Sequence, residues 1–239
     1  MRTPGPEFNC FQLAQLETGV ASLPDTGELM LVRFQGARRM ISTRDTNRWL
    51  SAREHQLARL HLTPALRKRF TVSRAVARQV LSTLCACDPA DVPLFEADDG
   101  RLSLDLPDRQ RFTVGIVYVG IWTVIAIGAA PFGLAAEGPR APRQHEHFTA
   151  ADIRHRARLA SLCDALQPAN FAELQLDDTL ADTLVEECVA CSIEIPGDGR
   201  WHVIDLPMPG SLAAALAGSQ TIRRIDAFGW TRTEVVSKY

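Results

Sequence analysis

Net charge is nearly absent from this chain: over 239 residues the formal balance is −2. Bulk electrostatic attraction to nucleic acid is excluded as its organising force. The opening MRTPGPEFNC lacks the basic stretch and apolar core of a secretory leader, so a cytoplasmic location is expected. Gly-rich zinc knuckles are missing as well. Cys85 and Cys87 form CxC, and Cys188 and Cys191 form CxxC, but both pairs sit in apolar helix-like contexts (VLSTLCAC, LVEECVAC). Together with Cys10 and Cys163 they read as reduced thiols in a cytoplasmic interior. His145 and His147 lie close together in a Pro- and Arg-rich stretch, with His155 further on. Exposed loop histidines are the expectation there, ahead of a metal site.

What the chain does have is an uncharged run over residues 112–136, FTVGIVYVGIWTVIAIGAAPFGLAA, closed by Glu137. Its length permits a membrane span, which needs about 20 apolar residues. Its composition points elsewhere. Val, Ile and Thr favour a pleated surface. Gly115, Gly120, Gly128 and Gly133 interrupt the run, and Pro131 would cost a helix a hydrogen bond. Two strands joined near Gly120, over about 112–119 and 122–128, are predicted, each covered on both faces.

Around the run, MLVRF reads as a strand. Residues 46–59 read as a helix, and LSAREH within it has capping-box form through Ser51 and Glu54. Pro64 opens the next helix, which runs to about Cys85 and ends before Asp88-Pro89. Two short strands follow, near 92–96 and 102–106, around an Asp98-Asp99-Gly100 turn. Thr149 and Asp152 cap a further helix, residues 176–190 read as another, and strands are expected near 193–195, 201–206, 211–216 and 221–227. The order β-α-α-β-β-β-β, then α-α-β-β-β-β, argues for an α+β protein of two similar lobes, 1–130 and 131–239. Each lobe would pack helices on an antiparallel sheet. The chain is long enough for a substantial core. Basic residues cluster at Arg53, Arg59, Arg67, Lys68, Arg69, Arg74 and Arg78. Such a strip suits a phosphorylated small molecule, an acidic protein surface, or a plain solvated helix face.

Four stretches of the middle third agree in order and spacing with one family. They are LSAREHQLARL, RFTVSRAVARQVL, DPADVPLFEADDGRLSL and PFGLAAE. This part of the chain resembles the larger, two-lobed 4′-phosphopantetheinyl transferases. These enzymes move phosphopantetheine from coenzyme A to a serine of an acyl or peptidyl carrier protein. FTAADIRHRARLA, TLVEECVAC and WHVIDLPMPGSLAAALA are similar to its later segments more loosely. The resemblance implies that Arg74, Gly100 and Arg101 meet coenzyme A phosphates and that Glu137 and Glu187 hold Mg2+.

The departures are concentrated where the family does chemistry. Gly115-Ile116 stand in place of its Ser-His pair, Ala135 in place of a metal aspartate, and Glu186 in place of its lysine. A methyl in place of a carboxylate removes a hard oxygen ligand and its charge. Each lost electrostatic element is worth roughly tenfold to a thousandfold in rate. Two implications stay open. One is a degenerate protein that keeps the fold and binds a carrier protein, or another enzyme of fatty-acid, polyketide or pigment synthesis. The other is an active, divergent transferase with Glu137 and Glu187 on Mg2+ and Glu186 or a water as base. The replacements favour the first. No membrane span and no nucleic-acid partner are expected on either.

Overall fold

The computed structural model describes residues 5–18, 21–36, 41–107, 110–139, 149–166, 184, 188–195 and 197–236. The protein is a mixed α/β molecule with two sheets and several helices. Eleven strands are seen among the described residues: β1 (Glu7–Phe11), β2 (Glu28–Gln35), β3 (Leu94–Glu96), β4 (Leu102–Asp105), β5 (Arg111–Val119), β6 (Trp122–Gly128), β7 (Phe132–Glu137), β8 (Ala190–Ile195), β9 (Gly199–Leu206), β10 (Ala213–Gly218) and β11 (Arg224–Phe228). The helices are α1 (Thr43–Trp49), α2 (Ala52–Leu60), α3 (Pro64–Cys85), α4 (Ala150–Ala165) and α5 (Arg232–Val236).

The uncharged run folds as β5, β6 and β7. Alternation along β5 and β6 sends side chains to two different cores. Phe112, Val114, Ile125 and Ile127 face α3, where Val76, Val80 and Leu81 meet them. Val119, Val124 and Ala126 face the second sheet, against Phe132, Leu134 and Leu216. Both faces are covered, as the continuous apolar pattern predicts. A third core lies between α4 and the far side of the second sheet, with Leu162, Ile193, Val203 and Ala217. The layers therefore run α3, first sheet, second sheet, α4.

The first sheet has the order β1-β11-β2-β6-β5-β4-β3, and the second β7-β10-β9-β8. The second is antiparallel throughout. The first is not: β11 pairs parallel with both β1 and β2. This corrects the expectation of antiparallel sheets only. Glu7–Phe11 is a strand that its own hydropathy does not announce, and β11 enters the first sheet after the chain has built the second. Neighbours in sequence usually pair, so hydropathy alone does not reveal a pairing across nearly the whole chain. The crossover from one sheet to the other falls between Gly128 and Phe132.

Local signals explain most element ends. The expected helix over 46–59 is two helices, because Leu50 is extended and Ser51 starts a new one. Ser51 accepts from the Glu54 backbone and Glu54 reaches back to the Ser51 N–H, a complete capping box. Thr63 caps α3 with Pro64 in its first turn, and Ala86 ends it in a left-handed conformation (φ 51°). Thr149 and Asp152 form a second capping box at α4. Of the helix expected over 176–190, residues 176–183 and 185–187 lie outside the described residues, and Ala190 opens β8. Arg33 of β2 is buried between the rings of Trp122 and Trp230, 4.7 Å from each centroid, and its Nη2 reaches Glu234 of α5 at 2.8 Å. That stack ties the last helix to the first sheet.

β7 lies so close to α4 that a Cβ on Gly133 would sit 2.1 Å from the Ser161 carbonyl oxygen and 2.4 Å from the Ala165 nitrogen. Both obstacles are helix backbone and do not move cheaply. Gly133→Ala is expected to destabilise the fold by about 1–3 kcal/mol. Gly218→Ala, where the nearest atoms stand 3.7 Å or more away, is the matched control with little effect. Chemical denaturation of both variants checks this; equal midpoints would show that α4 does not depend on that approach.

Candidate functional site

A polar cleft of about 340 Å³ lies between the α3 side of the first sheet and the β7–α4 edge of the second. Its floor is the backbone and small side chains of β5, from Thr113 to Tyr118. Phe70 and Arg74 of α3 form one wall. Asp99, Gly100 and Arg101 of the β3–β4 turn form another, and Asp164 of α4 closes the far end. Gly100 sits at φ 85°, a left-handed conformation that favours glycine, and so keeps the turn tight. Three residues singled out from sequence, Arg74, Gly100 and Arg101, are thus brought to one cleft, together with Gly115 and Ile116.

Their charges already have protein partners. Arg74 is buried, its guanidinium lies 4.9 Å over the Phe70 ring, and its Nη2 stands 2.8 Å from Glu96 Oε2. That contact is close but poorly aligned as a hydrogen bond, and Nη1 has no hydrogen-bond partner among the described residues. The pair stands between the cleft and a second hollow of about 360 Å³ lined by Ser51, Arg53, Phe95 and Asp98. Arg101 is half exposed and pairs with Asp99 at 3.2 Å. Arg78, one turn beyond Arg74, is held by Glu54 at 2.8 Å and by backbone carbonyls of the 89–92 segment.

Gly115 is closed over. An added Cβ there would lie 3.0 Å from Phe132 Cε2 and 3.2 Å from Leu134 Cβ. Glu137 does not line the cleft. Alternation along β7 puts Glu137 on the same side as Gly133, facing α4. There its Oε2 lies 3.7 Å from Arg156 Nε. Ala135 shares that face, and it is buried. Glu186 and Glu187 lie outside the described residues, as do His145 and His147. Among the described residues, no group of three or more His, Cys, Asp or Glu side chains is placed to hold a metal ion. No helix of the described residues is long and apolar enough to cross a membrane.

Sequence reasoning missed three polar residues here. Tyr118 hydrogen-bonds Ser73 at 2.6 Å and carries the Arg69 guanidinium 4.6 Å above its ring. Burial pushes the phenol pKa up, against the opposing pull of that hydrogen bond and the two nearby arginines. The third is Asp164, whose Oδ2 accepts from the Leu134 N–H at 2.9 Å. Asp164 keeps an exposed side, and partial desolvation of its carboxyl at the cleft raises its pKa; the Leu134 hydrogen bond and Arg101 oppose that rise, and Asp99 adds to it. One signal was legible: a carboxylate in the last turn of a helix opposes the helix dipole and needs another reason to be there. Compared with models of known protein families the chain matches none, and no curated protein matches it in sequence.

Because its folded pKa is raised, ionised Asp164 works against the fold at neutral pH. The penalty is present above the folded pKa and disappears as pH falls below the unfolded value of about 4. Asp164→Asn keeps an acceptor for the Leu134 N–H without the charge. Its thermal midpoint is expected to exceed the parent's at pH 7, with the gap closing towards pH 4. A lower midpoint at pH 7 would mean that the charge is compensated in the cleft.

Proposed function

We propose that this protein is a phosphopantetheinyl transferase-like protein of two α+β lobes that binds a carrier protein without modifying it. The partner is an acyl or peptidyl carrier protein, or a biosynthetic enzyme that works with one. The observation that carries the proposal is the closure of Gly115 by Phe132 and Leu134. In the family that the middle third resembles, a serine stands where Gly115 stands here and a histidine that meets coenzyme A phosphates stands where Ile116 does; the closure bears on the serine position, and Ile116 itself removes the imidazole. The backbone at 115 has been given to packing, and the space for a side chain is filled by an aromatic ring.

Three further features support the same reading. Arg74 faces a carboxylate at 2.8 Å, so a phosphate would have to compete with Glu96 for its guanidinium. Glu137 already has a guanidinium beside it, where a metal-holding carboxylate would need an open approach. Ala135 adds no oxygen ligand to that face, and Mg2+ demands a near-octahedral set of them. Of the residues the resemblance assigns to Mg2+, Glu137 alone lies among the described ones, so neither Mg2+ nor coenzyme A has a working part in this proposal. The two arginines on the cleft rim need no ligand charge, because Arg74 and Arg101 each already face a carboxylate.

The test is to incubate purified protein with apo carrier proteins, coenzyme A and Mg2+, and to read intact mass and complex formation on the same samples. The expected result is a complex on size-exclusion chromatography with no gain of phosphopantetheine mass. A mass gain would restore the active-transferase reading and make Glu137→Ala and Glu187→Ala the next variants. Absence of any complex with carrier proteins or carrier-bearing enzymes would sink the binding reading.

A further inference from the structure

Between Glu54 and Asp88 the chain contains six basic residues and no acidic one. The structure divides those six into two sets. Arg69, Arg74 and Arg78 turn inward, onto the Trp122 carbonyl, Glu96 and Glu54 respectively. Arg59, Arg67 and Lys68 are exposed and make no ion pair among the described residues. They surround the turn from α2 into α3, where three exposed leucines also gather. Leu60 is 72% exposed, Leu62 95% and Leu66 47%.

The turn is firmly built. The His61 N–H returns to the Ala58 carbonyl, Thr63 caps α3 through the Leu66 N–H, and the His61 ring packs on Phe70 at 5.0 Å. Pro64 fixes the first turn of α3. Three leucines held outward on a rigid, convex tip gain nothing for the monomer, since apolar surface left in water is unfavourable.

We propose that this tip seats the protein on an anionic lipid bilayer. The three leucines enter the boundary between headgroups and acyl chains, and Arg59, Arg67 and Lys68 lie level with the lipid phosphates. The pattern fits interfacial binding, which couples buried apolar area to attraction for anionic lipid. Each basic residue near such a surface adds to the affinity, and an acidic neighbour would subtract from it. The acid-free stretch removes that subtraction. A protein partner fits less well. A convex aliphatic tip needs a matching groove in the partner, whereas a bilayer accepts it without one. Leucine is also under-represented among residues that dominate protein–protein binding. The proposal does not depend on the carrier-protein reading, and either can fail alone.

The experiment is sedimentation of the full chain with vesicles of pure phosphatidylcholine and of phosphatidylcholine mixed with phosphatidylserine. Binding to the mixed vesicles is expected, weakening as salt rises, with little binding to the neutral ones. Leu62→Asp and the double variant Arg67→Glu/Lys68→Glu should each lower partitioning by roughly tenfold or more. All three positions are exposed, so circular dichroism should show unchanged folds. No binding to anionic vesicles at low salt overturns the proposal, as does binding that both variants leave intact. Loss of an acidic protein's binding in those variants, without any vesicle binding, would assign the tip to a protein partner and also overturn it.

Discussion

The ring of Phe132 rests on two glycines, and the arrangement of the two sheets follows from that contact. A Cβ on Gly115 would approach Phe132 to 3.0 Å, and one on Gly128 would approach it to 3.2 Å and Leu29 to 2.6 Å. Bare backbone at both positions lets β7 lie directly against β5 and β6. On its other side β7 is clamped by α4 at Gly133. The glycines that break up the uncharged run are therefore where layers touch, the use to which glycine inside a strand is commonly put. The same contact sets what the cleft floor can carry. At 115 the floor is bare because the second sheet packs there, so a side chain at 115 would have to push the Phe132 ring and Leu134 back.

Buried arginines form the second constraint. Arg33 reaches Glu234, Arg74 reaches Glu96, Arg78 reaches Glu54, and Arg158 reaches Asp205. Each joins elements distant in sequence, and Arg158 also bonds the carbonyls of Leu184 and Cys188. Stripping a buried pair of one member costs about 3–5 kcal/mol, because the other charge is left in low dielectric. These residues are held to structure by that cost. A phosphate approaching Arg74 competes with a carboxylate already desolvated around it, a much harder task than binding an exposed cation.

How much of this was legible in the sequence depended on the range of the interaction. Pro64 and the Thr149–Asp152 pair act within one turn, and their helices begin where they predict; the Ser51–Glu54 box was also readable, though it opens a second helix rather than lying inside one. The two-sided burial of β5 and β6 was also readable, since it needs only a continuous apolar pattern. The parallel insertion of β11 between β1 and β2 was not, because it joins Glu7 to Arg224 and no local periodicity encodes that. The cleft was partly readable. Arg74, Gly100 and Arg101 line one cleft, yet nothing in their own neighbourhoods announced Glu96 as a partner or the ring over Gly115. Glu137 was placed by its position in a motif, and its orientation was set by the strand's alternation against α4.

One helix connects the two surfaces with functional interest. The first turn of α3 carries Leu66, Arg67 and Lys68, and its next two turns carry Phe70 and Arg74, a wall of the cleft. At a rise of about 1.5 Å per residue, Leu66 and Arg74 are about 12 Å apart along the axis. With the tip seated in headgroups, the cleft would stand within that distance of the lipid surface, measured along the helix. A carrier protein held at the cleft would then present its acyl cargo beside the bilayer. Such a geometry asks nothing of phosphate transfer. It needs a rigid helix and a tip that stays exposed, and both follow from residues between Glu54 and Cys85.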